Sequence, residues 1–170
     1  MADFRLRVTY AETGRLVMLS HLEIARALER AVRRAGLPYA VSQGFSPHMK
    51  QAFGSALPVG VGGLEEIFDV SLTDYVPPEE ALARLQASSA PDLMPHAARY
   101  ITKDETAASA AYPRSTYEAL LEASRSGDCE MDVLAAARAL SVPSEITVVR
   151  KKKERVLVPS EFIVGELEVE

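Results

Sequence analysis

SHLEIARALERAVRRAGLPYAVSQGFSPHMKQAFGSALPVGVGG, Ser20 to Gly63, contains a helix with both ends written into it, a polar loop and a Gly/Pro-rich crossing. Ser20-x-x-Glu23 is a capping box: hydroxyl and carboxylate can each satisfy an amide of the first turn. Leu19 and Ile24 hold the two positions of a hydrophobic staple. At the other end Gly36 can turn left-handed, Leu37 can fold back onto Val32, and Pro38 cannot continue the helix. The spacing predicts a helix over 21–35. Ile24, Leu28, Ala31, Val32 and Ala35 form its core face. Arg26, Arg30, Arg33 and Arg34 gather on the other side. That side is either a grip for phosphates or a solvated face with Glu29 and Arg33 as an i,i+4 pair.

The loop that follows, Ser42-Gln43-Gly44-Phe45-Ser46-Pro47-His48, packs an amide, two hydroxyls, an aromatic ring and an imidazole into seven residues. Gly44 permits backbone conformations closed to other residues, and Pro47 stiffens the exit while extending Ser46. Polar groups on a constrained loop are where binding and catalysis tend to sit. The alternative is a structural turn whose side chains satisfy their own backbone. His48 is the candidate acid, base or phosphate donor, with Lys50 on the same side of an extended segment. His21, at the positive end of the helix dipole, would be a neutral partner. Ala56 to Gly63 has no Gly-Lys-Ser/Thr and is no P-loop. It reads as a tight turn or bulged crossing, with a backbone anion nest as the other reading.

Working outward, Phe4, Leu6, Val8 and Tyr10 alternate with polar residues, so 4–11 is a half-buried strand. Glu12-Thr13-Gly14 is a turn. Pro38 to Val41 is a short strand and Met49 to Phe53 is extended. Phe68, Val70 and Leu72 mark a strand over 65–73. Pro77-Pro78-Glu79-Glu80 opens a helix with Ala81, Leu82 and Leu85 inside, and Leu93 to Ile101 is a further strand. The order strand–helix–strand–strand–helix–strand is the ferredoxin-like split βαβ unit, an α+β fold with an antiparallel sheet and helices on one face. Residues 1–103 form this unit and 104–170 a second, smaller α+β unit, two in tandem. In the second, 104–111 is a linker, Arg114 to Ala123 is ambiguous between a helix capped by Ser115-x-x-Glu118 and a strand, with the strand preferred because a second βαββ unit would then follow, Met131 to Leu140 is a helix, and Ile146 to Val158 is a hairpin. Its basic tip, Lys151-Lys152-Lys153, is either a nucleic-acid finger or a charged guard against edge pairing.

Composition narrows the partners. No run reaches the roughly 20 apolar residues of a membrane span, and the charged, strand-like N-terminus is unlike a secretory signal. The single cysteine, Cys129, excludes an internal disulfide and fits a reducing cytoplasm. Cys129 and the three His lack zinc-ligand spacing. Net charge is −5, against wholesale wrapping of nucleic acid. The charge is uneven: residues 1–50 carry eight Lys/Arg against four Asp/Glu, and residues 51–149 carry six against fifteen. Local positive patches on an acidic body suit limited contact with RNA or a phosphate ligand, and suit a solubilised surface equally well.

The central stretch resembles the bacterial radical-SAM-linked proteins. The resemblance lies in the S-H-L-x-x-x-R-A-x-x-R-A-x-R-R-A-x-L-P helix at Ser20–Pro38, the S-x-G-F-x-P-H loop at Ser42–His48 and the A-L-P-x-G-V segment at Ala56–Val61. Met49 departs from the Pro found there in many members. The resemblance implies a cytoplasmic bacterial protein fused to, or encoded beside, a radical-SAM enzyme, and it carries no catalytic residue over. An iron–sulfur cluster needs about four ligands, so with one cysteine this chain is expected to hold no cofactor, and the radical chemistry belongs to another polypeptide.

Three functions stay open. The first is a non-catalytic module that binds RNA or a phosphate-bearing substrate for a radical-SAM partner. It would use Arg26, Arg30, Arg33, Ser42, Gln43, Gly44, Phe45, Ser46, His48, Lys50 and Lys151 to Lys153. The second is a protein-only adaptor using Leu57, Val59 and Val61 as an apolar patch. The third is a His-dependent RNA-processing enzyme built on His48, Lys50 and Ser46, which rests on fold-level analogy.

Overall fold

A computed structural model gives the architecture. It describes residues 4–120, 135, 139, 142–150 and 153–165. The chain divides into two compact units, Met1–Ser115 and Thr116–Glu170.

The first unit has β1 (Phe4–Glu12), α1 (His21–Arg34), β2 (Gln51–Phe53), β3 (Gly63–Leu72), α2 (Pro78–Ser88), β4 (Leu93–Ile101) and the short α3 (Ala108–Ala111). The sheet order is β2-β3-β1-β4 with every neighbouring pair antiparallel. This is the split βαβ arrangement expected from the order of apolar patterns. Register explains the two faces. Leu6 stands opposite Val70 and Val8 opposite Phe68, and these join Ile24, Leu28 and Val32 of α1 and Ala81 and Leu85 of α2 in one core. Arg7 stands opposite Asp69 and Arg99, so the odd positions of β1 point to the other face, where α3 lies close to β2 and β3.

Both ends of α1 form as the sequence predicts. The Ser20 amide and hydroxyl donate to Glu23 Oε2 at 2.9 and 2.7 Å, and Leu19 packs on the core that holds Ile24. Gly36 takes φ 63°, and the Leu37 amide donates to the Val32 carbonyl. That is the Schellman closure, in which a left-handed residue lets the chain double back on the last turn. The helix ends one residue earlier than the pattern suggests.

Other expectations shift. Between the turn and the α1 cap, Gly14–Met18 is a 3-10 turn. Residues 38–41 give only isolated bridges, Tyr39 with Leu72 and Val41 with Met49. The segment read as a linker contains α3, whose Ala108 is buried beneath the sheet's polar face. No regular element forms at 114–120, so the strand expected there is not found. Its residues are exposed, and no face of the segment is apolar enough to repay ordering it into a sheet.

Among the described residues the second unit shows the antiparallel hairpin β5 (Ile146–Arg150) and β6 (Lys153–Leu157), then a 3-10 turn at Pro159–Glu161. The helix expected at Met131 to Leu140, Cys129, Lys151, Lys152 and the acidic end of the chain lie outside the described residues, apart from Ala135, Ala139 and Gly165. Among the described residues no helix is long and apolar enough to cross a membrane.

Candidate binding surface

The polar loop is the tip of a narrow hairpin. The Ser42 amide donates to the His48 carbonyl at 2.7 Å, and the Lys50 amide donates to the Ala40 carbonyl at 2.8 Å. The Ser42 hydroxyl accepts from the His48 amide at 3.0 Å. Ser42 therefore works as a clasp, and it fixes the spacing of the two arms. Met49 anchors the base by entering the core, and the Ala40 amide ties the first arm to the Ser71 carbonyl of β3.

Beyond the clasp, Gln43, Gly44, Phe45, Ser46, Pro47 and His48 are all exposed, and Phe45 is exposed over its whole surface. Gly44 has φ 151° with open space around its Cα. An aromatic ring held wholly in water has no packing role. Here it is flanked by an amide, a hydroxyl and an imidazole, on a loop braced by Pro47 and the Ser42 clasp.

The arginines of α1 separate into two groups. Arg33 pairs with Glu29 at 2.6 Å, donates to the Tyr39 hydroxyl at 2.8 Å and lies 5.0 Å over the Tyr39 ring. The Glu29 hydrogen bond raises its pKa further above the ordinary value. Arg33 thus braces the start of the hairpin's first arm. Arg34 donates to the Ser88 carbonyl at the end of α2. Arg26 and Arg30 are exposed, and no hydrogen bond joins either to the hairpin among the described residues. His21 meets the edge of the Phe53 ring at 5.5 Å, so it packs at the mouth of the core. Lys153 is exposed at the start of β6, where it pairs with Arg150.

The Gly/Pro-rich crossing is a turn. The Val61 amide donates to the Pro58 carbonyl and the Gly60 amide to the Val17 carbonyl at 2.7 Å. Gly62 passes so close to β1 that a Cβ would stand 2.9 Å from the Glu12 carbonyl oxygen. Val59 is exposed, while Leu57 and Val61 are half-buried, so the expected apolar patch shrinks to one exposed side chain of its three. Met18, next to the Val17 anchor, is exposed as well.

A second polar surface escaped the sequence reading. On the sheet face away from α1 and α2, Asp69 accepts from Arg7 Nε at 2.7 Å and from a second Arg7 nitrogen at 2.9 Å. It also accepts from the Ala108 amide at 3.0 Å and from Arg5 at 3.3 Å. Arg7 and Asp69 are both buried. Beside them Arg99 pairs with Glu105 at 2.8 Å. The signal in the sequence was Arg5-x-Arg7 on the polar side of a strand, which needs the register to Asp69 before it means anything. Among the described residues no group of three His, Cys, Asp or Glu is placed to hold a metal ion.

No curated protein matches the chain. The model of a family described as an uncharacterized protein conserved in bacteria, DUF2344, matches residues 5–161, and the chain belongs to that family.

Proposed function

We propose that the chain is a non-catalytic binding module whose hairpin tip takes single-stranded RNA, in the service of a radical-SAM enzyme. The observation that carries this reading is Phe45, a wholly exposed ring on a braced loop between Gln43 and His48. Aromatic platforms stack on bases whatever their sequence, at roughly 1–3 kcal/mol per base, and neighbouring donors hold the strand. Arg26, Arg30 and Lys50 add positive field on the same half of an otherwise acidic chain. The radical-SAM partnership is supported by the sequence resemblance alone. Titration of a short single-stranded RNA at several salt concentrations tests the reading. Saturable, salt-sensitive binding supports it, and no binding above background at low salt removes it.

A protein-only adaptor is the second reading, favoured by exposed Val59 and Met18 around the Gly60–Val17 hydrogen bond. Co-purification of a radical-SAM protein that survives nuclease treatment would favour it over RNA binding. The His48 enzyme has less behind it. The hydroxyl nearest that residue in the hydrogen-bond pattern, Ser42, already accepts from the His48 backbone amide and serves as a brace.

A further inference from the structure

Tyr10, Glu12 and Glu66 bring three oxygen-bearing side chains to one end of the core. Tyr10 stands directly across from Glu66, and Glu12 directly across from Gly63. Tyr10 packs in the core against the Phe68 ring. β1 stays in step with β4 from Tyr10 to Glu12, so Glu12, two residues on, keeps the same face. A Cβ on Gly63 would stand 2.8 Å from Glu66 Oε1 and 3.0 Å from its carboxyl carbon. The Glu66 carboxyl therefore fills the space of the side chain that Gly63 lacks, across the strands from Glu12. Cross-strand partners of this kind have side chains within about 4.5–5.5 Å at Cβ, so the two carboxyl groups are neighbours. Tyr10 is 3% exposed and Glu12 5%, and Glu66 is half-buried. The Tyr10 hydroxyl and both carboxyl groups make no hydrogen bond among the described residues. No cationic side chain among those residues offsets them: burial acts first on all three, Glu12 feels the charge of Glu66, and Tyr10 feels both. Buried carboxylates are ordinarily paired with a base or coordinate a metal, and here the chain supplies no base.

We propose that Glu12, Glu66 and the Tyr10 hydroxyl bind a divalent cation of the Mg²⁺ class. All three donors are oxygens, which suits a hard ion rather than a soft one. Mg²⁺ fits best, because it is held by one or two carboxylates and keeps several waters. Glu66 is half-buried and Gly62 exposed, so the outer side of the site is open to those waters. Two carboxylates balance the charge of the ion, whereas a shared proton would cancel only one of them. The third donor is phenolic, so the site differs from a group of three His, Cys, Asp or Glu. It does not depend on RNA at the hairpin tip.

The test is a titration of the isotope-labelled full chain with magnesium chloride at neutral pH, read by the amide resonances, with potassium chloride at equal ionic strength as the control. Mg²⁺ is expected to shift Tyr10, Glu12, Gly63 and Glu66 saturably at millimolar concentration. Mn²⁺ should broaden the same resonances and be displaced by Mg²⁺. That broadening needs no variant, so it locates the ion even if a substitution fails to fold. Glu12→Gln and Glu66→Gln should each weaken binding roughly 10- to 100-fold, and Tyr10→Phe roughly three- to tenfold. Mg²⁺ should also raise the urea midpoint of the unmodified chain and leave that of Glu12→Gln unmoved. Phe45→Ser should bind the ion as the unmodified chain does, and loss of binding in that variant would place the ion at the tip and overturn the assignment. Shifts shared with K⁺, broadening centred on exposed acids such as Glu79 and Glu80, full affinity in any of the three site variants, or no saturable change at millimolar Mg²⁺ would also overturn it.

Discussion

Arg7 and Asp69 form a two-pronged ion pair across β1 and β3, with Nε 2.7 Å from Oδ1, and both residues are buried. The pair lies on the face opposite the apolar core and pins α3 to the sheet, because Asp69 also accepts from Ala108 and Arg7 donates to the Thr106 carbonyl at 2.7 Å. The Asp69 hydrogen bond is the main reason Arg7 holds its proton more tightly than an ordinary arginine.

Removing one partner leaves the other charged and unpaired. Asp69→Ala is expected to destabilise the chain by about 3–5 kcal/mol, read as a drop in urea midpoint. The double change Arg7→Met with Asp69→Leu should recover only part of that loss: an apolar pair carries no desolvated charge, but the Ala108 amide and the Thr106 carbonyl lose their partners. A loss under about 1 kcal/mol for Asp69→Ala would mean that water reaches the pair.

Glu12 and Glu66 set a pH dependence. Burial pushes both carboxyls above the ordinary value of 4.5, and Glu66 raises Glu12 further. A folded-state pKa above the unfolded one means that the folded chain binds the proton more tightly. These two groups therefore withdraw stability as pH rises from about 4.5 through their folded values. Glu12→Gln is expected to raise the urea midpoint at pH 8 and to leave it unchanged near pH 4. Glu23 and Glu105 act in the opposite sense: hydrogen bonds from Ser20 and Arg99, respectively, hold them below the ordinary value, so their contribution is lost as pH falls.

The ends of α1 are open to simple checks. Gly36→Ala places a side chain at φ 63°, which costs about 1–2 kcal/mol; nothing crowds the site, so backbone strain is the whole effect. Ser20→Ala removes the hydroxyl partner of Glu23 and should cost about 1 kcal/mol. Thermal or urea unfolding measures both.

The arginines of α1 should separate in an RNA titration. Arg26→Ala and Arg30→Ala are each expected to lower the salt slope by about 0.7, the worth of one phosphate left without its cation. Arg33→Ala should instead loosen the hairpin base, because Arg33 is held by Glu29 and Tyr39. Its signature is faster amide exchange at Tyr39 and Ala40.

The first unit was legible in the sequence because its signals are local. Ser20, Glu23, Gly36 and Pro38 mark α1 within a few residues, and Phe4 to Tyr10 and Phe68 to Leu72 declare their faces by alternation. The hairpin around Gln43 to His48 was legible as a constrained polar loop, though not its clasp, which needs Ser42 brought opposite His48. The sheet's polar face was not legible at all. Arg5 and Arg7 look like ordinary outward charges until register sets them against Asp69, 62 residues or more along the chain. The same limit explains Arg33, whose role depends on Tyr39 returning under it. Residues 114–120 lean toward a strand in the sequence because Tyr112, Thr116 and Tyr117 have strand-like side chains, but propensity without a partner edge does not make a sheet.

Replacing Phe45 with tryptophan tests the tip most directly. The sequence has no tryptophan, so the indole would be the chain's sole such fluorophore. With Phe45→Trp, a short single-stranded RNA is expected to quench the emission saturably at low salt. Phe45→Ala should weaken the same RNA by roughly 5- to 150-fold, the worth of one stacked base. RNA that binds with full affinity to Phe45→Ala while the indole emission stays unchanged would contradict the account.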